Sequence, residues 1–536
     1  MLRRRLLIVL GLLVVAMFGL SRAGHAQGNV PNTVANPFPD NLRQVLLPHW
    51  RICSRDGGDH DARIDACRAL IETERLMTVA QSALVYFFRA SAYLAKGQLG
   101  PAIADYSQSM ELNPQPPIVS QQRGLAYLQR GDRELAVADF TRSLQINPYS
   151  LAVLTSRART YEALGDHERA YANYEQILRL SPGTAGAYFD RGRLLLATNQ
   201  AARALADFNQ ALRLNPAMTP ALMQRGAIYL ARAQHDRAVV DFTLAIKANP
   251  GDGAGYEYRA RAHAARGRHA LAIADYDQAL RIRPEQPELL HNRAFAQALL
   301  GQHAQAVADY DQMLRLVPGN IVAIANRGIA YAALGQFEQA IADYDEVIRR
   351  HPDYIDVHNN RGYVFFRAGH YYRAIADYDE AIRRDPAFAL AFQNRGDAYA
   401  ALGQHDRAIP DYSEAINLNP KQARAYRGRC LSNLVSAEAM AALADCAAAL
   451  RLQPDDIEAL YRRGLAQLKL HHWQEAATDF SAVLRKEPKH APALFGRGWA
   501  MLMIGDRQRS QADQAEARKI DPGVLDKFRS YGLSPS

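Results

Sequence analysis

The chain has 536 residues but few of the residue groupings from which reaction centres are built. It contains only four cysteines, and its cysteines and histidines include no closely spaced set of four zinc ligands. A P-loop, a dinucleotide-binding glycine motif, a zinc-protease helix, a nucleophile elbow and a haem-attachment sequence are all missing. These absences argue against an enzyme, and we expect no catalytic residue, no cofactor and no bound metal.

A large excess of one sign of charge is also missing. The chain has 64 basic and 55 acidic residues, which gives a formal net charge of +9 at pH 7. Four of the arginines, Arg3, Arg4, Arg5 and Arg22, lie near the N-terminus, and without them the excess of basic residues falls to five. So small a charge, spread over a large surface, does not favour nucleic acid as a partner.

What the sequence does contain is one unit repeated at a fixed interval of 34 residues. In residues 321–354, apolar and small side chains recur at helical spacing on both sides of Gly335, and Pro352 follows the second run. Because glycine permits a tight turn and proline cannot continue a helix, each unit is predicted to be two helices joined by a turn. The closing prolines are Pro114, Pro148, Pro182, Pro216, Pro250, Pro284, Pro318, Pro352, Pro386, Pro420, Pro454, Pro488 and Pro522.

Small, aromatic and charged residues recur at fixed slots of each unit. The first helix has a small residue near its middle, as at Gly328. The second helix has a small residue followed four positions later, in most units, by an aromatic, as at Ala340 and Tyr344. An arginine precedes the first-helix slot in all thirteen units, and an aspartate precedes the aromatic slot in twelve. The arginines could form a stripe that binds a ligand or nucleic acid. Since partly buried charges are normally paired, we interpret them as a structural ion-pair ladder.

This 34-residue period resembles the tetratricopeptide repeat family. The sequence Ala340-x3-Tyr344 followed by Pro352 is similar to the ending of that family's repeat, and the resemblance extends from about Ala83 to Val524. It implies an all-α fold, a right-handed superhelical solenoid of antiparallel helix pairs. It also implies a concave face, lined by the first helices, that binds peptides or partner proteins.

The positions that match the family's groove vary from repeat to repeat. Such variation is typical of a surface that a partner reads, and equally of an unconstrained solvent face. Asparagines precede several ladder arginines, but the lysines that the family's two-carboxylate clamp requires are missing. The predicted groove residues are Phe87, Gln121, Arg159, Phe189, Arg193, Glu257, Arg261, His291, Phe295, Asn359, Tyr363, Arg367, Gln393, Asp397, Arg427, Tyr461, Phe495 and Trp499.

The four cysteines form two clusters that a solenoid keeps apart, which predicts the disulfides Cys53–Cys67 and Cys430–Cys446. Cys430 replaces the small residue of its first helix, and Cys446 replaces the aromatic residue of its second helix. The two side chains are therefore at similar heights on facing helices, which suits the short separation of a disulfide. An exported chain would allow both bonds to form, and a buried pair of free thiols or a metal site are the alternatives.

The N-terminus differs from the repeats. Arg3 to Arg5 precede a run of fifteen apolar residues, and small residues then precede Gln27, which is the layout of a secretory signal peptide. The run is shorter than the roughly 20 residues of a membrane span, and an uncleaved anchor is the alternative. The predicted organisation is a signal peptide at 1–26, a linker at 27–48, an N-terminal helical cap at 49–82, thirteen repeats at 83–524 and a C-terminal capping segment at 525–536.

These features favour a non-enzymatic protein–protein interaction scaffold in the cell envelope, whose concave face binds a protein or peptide of unknown identity. The alternative is a recruiting or regulatory subunit of a separate envelope enzyme or of an export or assembly complex. We expect an exported protein, periplasmic if the source is a Gram-negative bacterium. We expect it to contact the membrane only through an uncleaved N-terminus.

Overall fold

The structure is a computed structural model that describes residues 38–533. The predicted signal peptide, residues 27–37 of the predicted linker and the last three residues lie outside the described part. Residues 38–533 form 29 α-helices and one 3-10 helix, Glu74–Leu76, without any strand. None of these helices is both long and apolar enough to cross a membrane. The helices belong to two compact units, the first ending at Pro216 and the second beginning at Ala217.

The first unit consists of ten helices that pack as consecutive pairs. They are α1 (Arg43–Cys53), α2 (His60–Glu72), α3 (Val79–Ala95), α4 (Leu99–Leu112), α5 (Pro117–Arg130), α6 (Arg133–Ile146), α7 (Leu151–Ala163), α8 (His167–Leu180), α9 (Ala185–Ala197) and α10 (Ala201–Leu214). The pair α1 and α2 precedes four repeats, each made of one further pair. Within the unit, the second helix of a pair also packs on the first helix of the next.

The second unit consists of nine repeats and one final short helix. Its helices are α11 (Thr219–Ala231), α12 (His235–Ala248), α13 (Gly253–Ala265), α14 (His269–Ile282), α15 (Pro287–Leu299), α16 (His303–Leu316), α17 (Ile321–Ala333), α18 (Phe337–Arg350), α19 (Ile355–Arg367), α20 (Tyr371–Arg384), α21 (Ala389–Ala401), α22 (His405–Leu418), α23 (Ala423–Val435), α24 (Ala439–Leu452), α25 (Ile457–Lys469), α26 (Trp473–Lys486), α27 (Ala491–Ile504), α28 (Arg507–Ile520) and α29 (Val524–Ser530). The predicted all-α architecture of antiparallel helix pairs is confirmed.

The aromatic rings of the second helices lie directly against the small slots of the first helices. Tyr344 is 1% exposed, and a Cβ atom at Gly328 would lie 2.8 Å from its ring. In the first unit, a Cβ atom at Gly192 would lie equally close to the ring of Phe208. The glycine therefore sets the distance between the two backbones of the pair, because no larger residue fits without movement of the ring.

The arginine–aspartate ladder is present in the structure. Arg327 donates from Nε and Nη2 to the two carboxylate oxygens of Asp343, at 2.9 and 2.6 Å. The same pairing joins the first and second helices of all twelve repeats that have the aspartate. In the remaining repeat, Arg157 donates to the amide oxygen of Asn173 at 3.0 Å. A two-bond pairing of this kind fixes orientation as well as distance.

The ladder arginines also reach back to the preceding repeat, which the sequence pattern alone did not reveal. Arg327 donates from Nη1 to Asp311, at 2.6 Å, on the second helix of the repeat before. Arg123 makes the equivalent bond to Ser107, at 2.8 Å. The arginine is therefore shared between two repeats, and its three nitrogens fix the position of one repeat relative to the next.

The N-terminal cap begins earlier than predicted, inside the segment assigned to a linker. Helix α1 starts at Arg43, and Leu46, Trp50 and Cys53 are buried on one side of it. Phe38, before the helix, is 3% exposed and contacts Trp50 edge to face. The linker prediction is therefore wrong for residues 43–48. The apolar spacing of one residue every three to four was already there, but Pro48 within the segment argued against a helix.

Both cysteine pairs lie at bonding distance in the structure. The sulfur atoms of Cys53 and Cys67 are 2.09 Å apart, and those of Cys430 and Cys446 are 2.10 Å apart. All four residues are fully buried. The second pair spans the small slot and the aromatic slot of one repeat, so a covalent bond stands where other repeats have a ring packed on a small residue.

Substituting Gly192 with valine tests the contact between the small slot and the ring. Gly186 lies on the same helix with no atom within 4 Å of its Cβ position, so Gly186→Val is the matched control. We expect Gly192→Val to lower the free energy of unfolding by about 1–3 kcal/mol more than Gly186→Val, because only the valine at position 192 overpacks the contact between the small slot and the aromatic ring. Urea unfolding followed by circular dichroism measures both, and equal midpoints would contradict the contact.

Substituting Arg327 with glutamine tests the ladder. The change leaves Asp343, whose side chain is 8% exposed, without its cation. We expect a loss of about 3 kcal/mol, the low end for a broken buried pair, because the arginine itself is partly exposed. Arg349→Gln, which removes an exposed pair with Glu346, is the control and should cost less than about 1 kcal/mol. Similar losses for the two variants in urea unfolding would show that the ladder is not structural.

Candidate functional site

All of the predicted groove residues except Arg367 fall on two slots of the first helices, which together we call the first-helix face. One slot holds His291 in α15, and the other lies four residues later, at Phe295. From α15 to α27, the first helices of successive repeats contact each other. The same slot in neighbouring repeats therefore forms a row, and the row runs across several first helices.

An exposed apolar strip occupies this face in the second unit. Phe295, Ile329 and Tyr363 hold the same slot of α15, α17 and α19, and they are 50%, 47% and 36% exposed. Leu299, one turn further along α15, is 54% exposed. These four residues are the apolar strip. Single exposed apolar residues are ordinary, but a row of them on adjacent helices is typical of a protein-binding surface.

Paired charges lie next to the strip. Asp397 of α21 holds the same slot as Tyr363, one repeat later. It accepts a hydrogen bond from Tyr412 Oη at 2.8 Å. Its carboxylate is also 2.7 Å from the guanidinium of Arg424. Burial raises the pKa of Asp397, and Arg424 opposes that rise. Arg427 is similarly paired with Asp456 at 2.8 Å. The charges of this part of the face are therefore largely neutralised within the chain.

The first unit has a network of charges at the matching slots. Arg159 pairs with Asp190 at 2.9 Å, and Arg193 pairs with Glu162 at 2.5 Å. Tyr174, which holds the aromatic slot of its repeat, donates a hydrogen bond to Glu162 at 2.6 Å. Burial raises the pKa of Tyr174, and the nearby carboxylates add to the rise. Both arginines are exposed, yet each is held by an acid of a neighbouring first helix, so this region is less open to an anionic ligand than its sequence indicates.

The remaining first-helix residues are mostly committed to packing or pairing. Glu257 pairs with Arg261 and with Arg283, the latter at 2.7 Å. Arg367 is exposed and donates to Tyr363 Oη at 3.3 Å, and Gln121 is half-buried. Three predicted residues contact the ring that holds the aromatic slot of their own repeat, with ring centroids 5.8–5.9 Å apart: Phe87 with Tyr106, Phe189 with Phe208, and His291 with Tyr310.

Two predicted groove residues, Asn359 and Gln393, are buried, at 4% and 1% exposure. Asn359 accepts a hydrogen bond from Asn394 at 2.9 Å, and Gln393 accepts one from Gln422. Both side chains therefore form hydrogen bonds between repeats. The structure corrects the prediction that they line an open groove. From the sequence, the polar residues at these slots were interpreted as surface residues. Their hydrogen-bond partners belong to the next repeat, so the pattern within one repeat does not reveal their burial.

Three further predicted residues, Tyr461, Phe495 and Trp499, are covered by the C-terminal tail, which we define as residues 524–533. The tail helix α29 packs against α27. Phe528 of the tail is fully buried, and its ring centroid is 4.9 Å from Phe495 and 6.2 Å from Trp499. Tyr461, Phe495 and Trp499 are 6%, 1% and 8% exposed. The structure therefore corrects their assignment as open groove residues, because the chain's own end occupies that place.

Ile329, the central residue of the apolar strip, was not among the predicted groove residues. It lies 34 residues after Phe295 and 34 before Tyr363, so the repeat period alone could have found it. Asp190 and Glu162 were also missed as partners of the first-unit arginines. No periodic signal points to them, because each pair joins one slot to a different slot of the neighbouring repeat.

The chemistry of the first-helix face is that of non-covalent binding. It offers apolar side chains and paired charges, and residues 38–533 contain no group of three or more histidine, cysteine, aspartate or glutamate residues placed to hold a metal ion. The arrangement suits a surface that contacts another polypeptide.

Solved structures of low sequence identity match the chain. Yeast Tom70 is 18% identical, with a TM-score of 0.38, and the match covers 84% of this chain and 99% of Tom70. The C-terminal part of a TPR repeat-containing protein from Cytophaga hutchinsonii is 18% identical, with a TM-score of 0.41, over 45% of this chain and 98% of that one. A tetratricopeptide repeat protein from Parabacteroides merdae is 20% identical, with a TM-score of 0.38, over 46% and 98%. Among curated proteins, none matches.

Sequence models of protein families give a direct assignment. Models described as tetratricopeptide repeat match residues 83–116, 119–150, 155–219, 326–389, 389–422 and 461–524. A model described as TPR repeat matches residues 260–301. Together these matches cover more than half of the chain and follow the repeats described above. The chain belongs to the tetratricopeptide repeat family.

Proposed function

We propose that the protein is a non-enzymatic scaffold that binds a protein or peptide partner on the concave face formed by the first helices. The observation that carries the proposal is the apolar strip of Phe295, Leu299, Ile329 and Tyr363, each at least 36% exposed. Most of the other predicted groove residues are buried, packed on aromatic rings, ion-paired or covered by the tail, whereas the strip is apolar and open. Burying such side chains against a partner would contribute about 25 cal/mol for each Å² of apolar surface removed from water.

We also propose that the protein acts in the cell envelope after export. The basic and apolar N-terminal segment supports this, as do two cysteine pairs at bonding distance, because structural disulfides persist in oxidising compartments. A recruiting or regulatory subunit of a separate enzyme has the same binding surface. The identity of the captured partner distinguishes it from a plain scaffold.

Replacing two strip residues with acids tests the binding surface. We expect Phe295→Glu with Ile329→Glu to reduce capture of the partner from envelope extract at least tenfold, since losing about 1.4 kcal/mol of binding free energy suffices for that change. The control, Val240→Glu with Leu271→Glu, adds the same charge on second helices, at residues 58% and 51% exposed. Quantitative mass spectrometry of captured proteins measures both. If the control variant loses the partner and the strip variant keeps it, the binding face is wrongly assigned.

Export predicts the state of the cysteines and of the N-terminus. Protein purified from its source without reductant should show no free thiol after denaturation, and its N-terminal sequence should begin near Gln27. Thiol counting with and without prior reduction provides the control, because reduction should release four thiols. Four free thiols without reduction, on a chain that still carries residues 1–26, would contradict export.

A further inference from the structure

The tail is an amphipathic helix that uses one side for contact. Val524 and Phe528 are fully buried, and Tyr531 lies three residues further, so the anchors follow the spacing i, i+4 and i+7. On the opposite side, Asp526 and Arg529 are exposed and pair with each other at 3.0 Å. Apolar anchors at this spacing are how an amphipathic helix binds in a groove of another protein.

The surface beneath the tail extends over two first helices. Phe528 contacts α27, as described above, whereas Tyr531 lies beside Glu458 and Arg462 of α25. Leu533, at 5% exposure, belongs to the same buried cluster as Tyr461 and Phe528. The tail therefore crosses from one repeat to the repeat before it, as a bound peptide would, and we call the surface under it the tail site.

The tail site uses the same slots that are open elsewhere in the second unit. Trp499 holds the slot of Phe295, Ile329 and Tyr363, but it is 8% exposed whereas each of those is at least 36% exposed. The difference is the tail itself, which covers Trp499. One face of the repeats is thus apolar and open at α15 to α19, and apolar and occupied at α25 and α27.

The tail helix is short and depends on its packing for order. It has seven residues, far fewer than the roughly 12–15 that an isolated helix needs for marginal stability, so its order depends on packing alone. It follows Asp521, Pro522 and Gly523 and lies after the thirteenth repeat. If it is docked in about 99 of 100 molecules, it weakens an external ligand about 100-fold without abolishing binding.

We propose that the tail site binds an amphipathic helical segment of a partner protein, with apolar anchors at i, i+4 and i+7, and that the tail is a tethered competitor for that site. This deepens the proposed function and rests on it, since it assigns the same face a ligand class and a means of regulation. The partner segment displaces the tail and places its own aromatic anchor between Phe495 and Trp499.

A peptide of the chain's own residues 521–533, labelled with a fluorophore, is the probe. The full-length variant Phe528→Ala should bind it one to one and at least tenfold more tightly than the unmodified chain, because its own tail no longer competes. Arg529→Ala changes the exposed side of the tail and should behave as the unmodified chain. A probe that carries alanine at position 528 should not bind any of them.

The outcomes separate displacement from a purely structural cap. Equal binding by Phe528→Ala and the unmodified chain, or no binding to a Phe528→Ala chain that keeps its helical circular dichroism, overturns the proposal. Hydrogen exchange on the unmodified chain gives an independent test. Amides of α29 should exchange at least tenfold faster than those of α27, and equal protection also overturns the proposal. Neither readout uses the apolar strip, so both can fail while partner capture by the strip stands.

Discussion

The shared arginine is the interaction on which the arrangement of the repeats depends. Twelve of the thirteen ladder arginines bind an aspartate of their own repeat with two nitrogens, whereas Arg157 binds Asn173. In many repeats the third nitrogen binds the repeat before. In Arg293, Arg327, Arg361 and Arg395 that third partner is also a carboxylate. These four arginines lie on the first helices α15, α17, α19 and α21, and the first three of these helices present the apolar strip. Charge-assisted hydrogen bonds between repeats therefore occur in the same repeats that carry the surface to which we assign binding.

This coincidence has a physical reason. A row of side chains can act as one surface only if neighbouring helices keep a fixed height and rotation relative to each other. Hydrophobic packing alone permits small slips, whereas a planar guanidinium between two carboxylates fixes direction as well as distance. Because the ladder lies next to the small slots, it leaves the outer slots of the first helices free to vary. The fold thereby separates positions that hold the repeats together from positions that contact a partner.

The sequence predicted the repeating part of the molecule well because the repeat itself supplies many copies of each constraint. The proline interval, the glycine that accepts the ring of Tyr344 and the pairing of Arg327 with Asp343 all follow from slots seen thirteen times. The features that the sequence could not reveal either occur in a single place or join different slots of neighbouring repeats. The tail covers Phe495 and Trp499 only at the end of the chain, and Arg159 meets Asp190 from a different slot of the next repeat. Helix α1, which contains Pro48, lies outside the repeats, so no repeated slot supported its prediction.

The open strip and the covered tail site are two states of one kind of surface, and we expect a partner polypeptide to lie directly on it. The most direct measurement is photo-crosslinking in the native compartment, with a photoreactive amino acid placed at position 329 or, as reference, at the exposed second-helix position 271. We predict a discrete protein crosslinked from position 329 and no such product from position 271. A product from position 271 alone would contradict it.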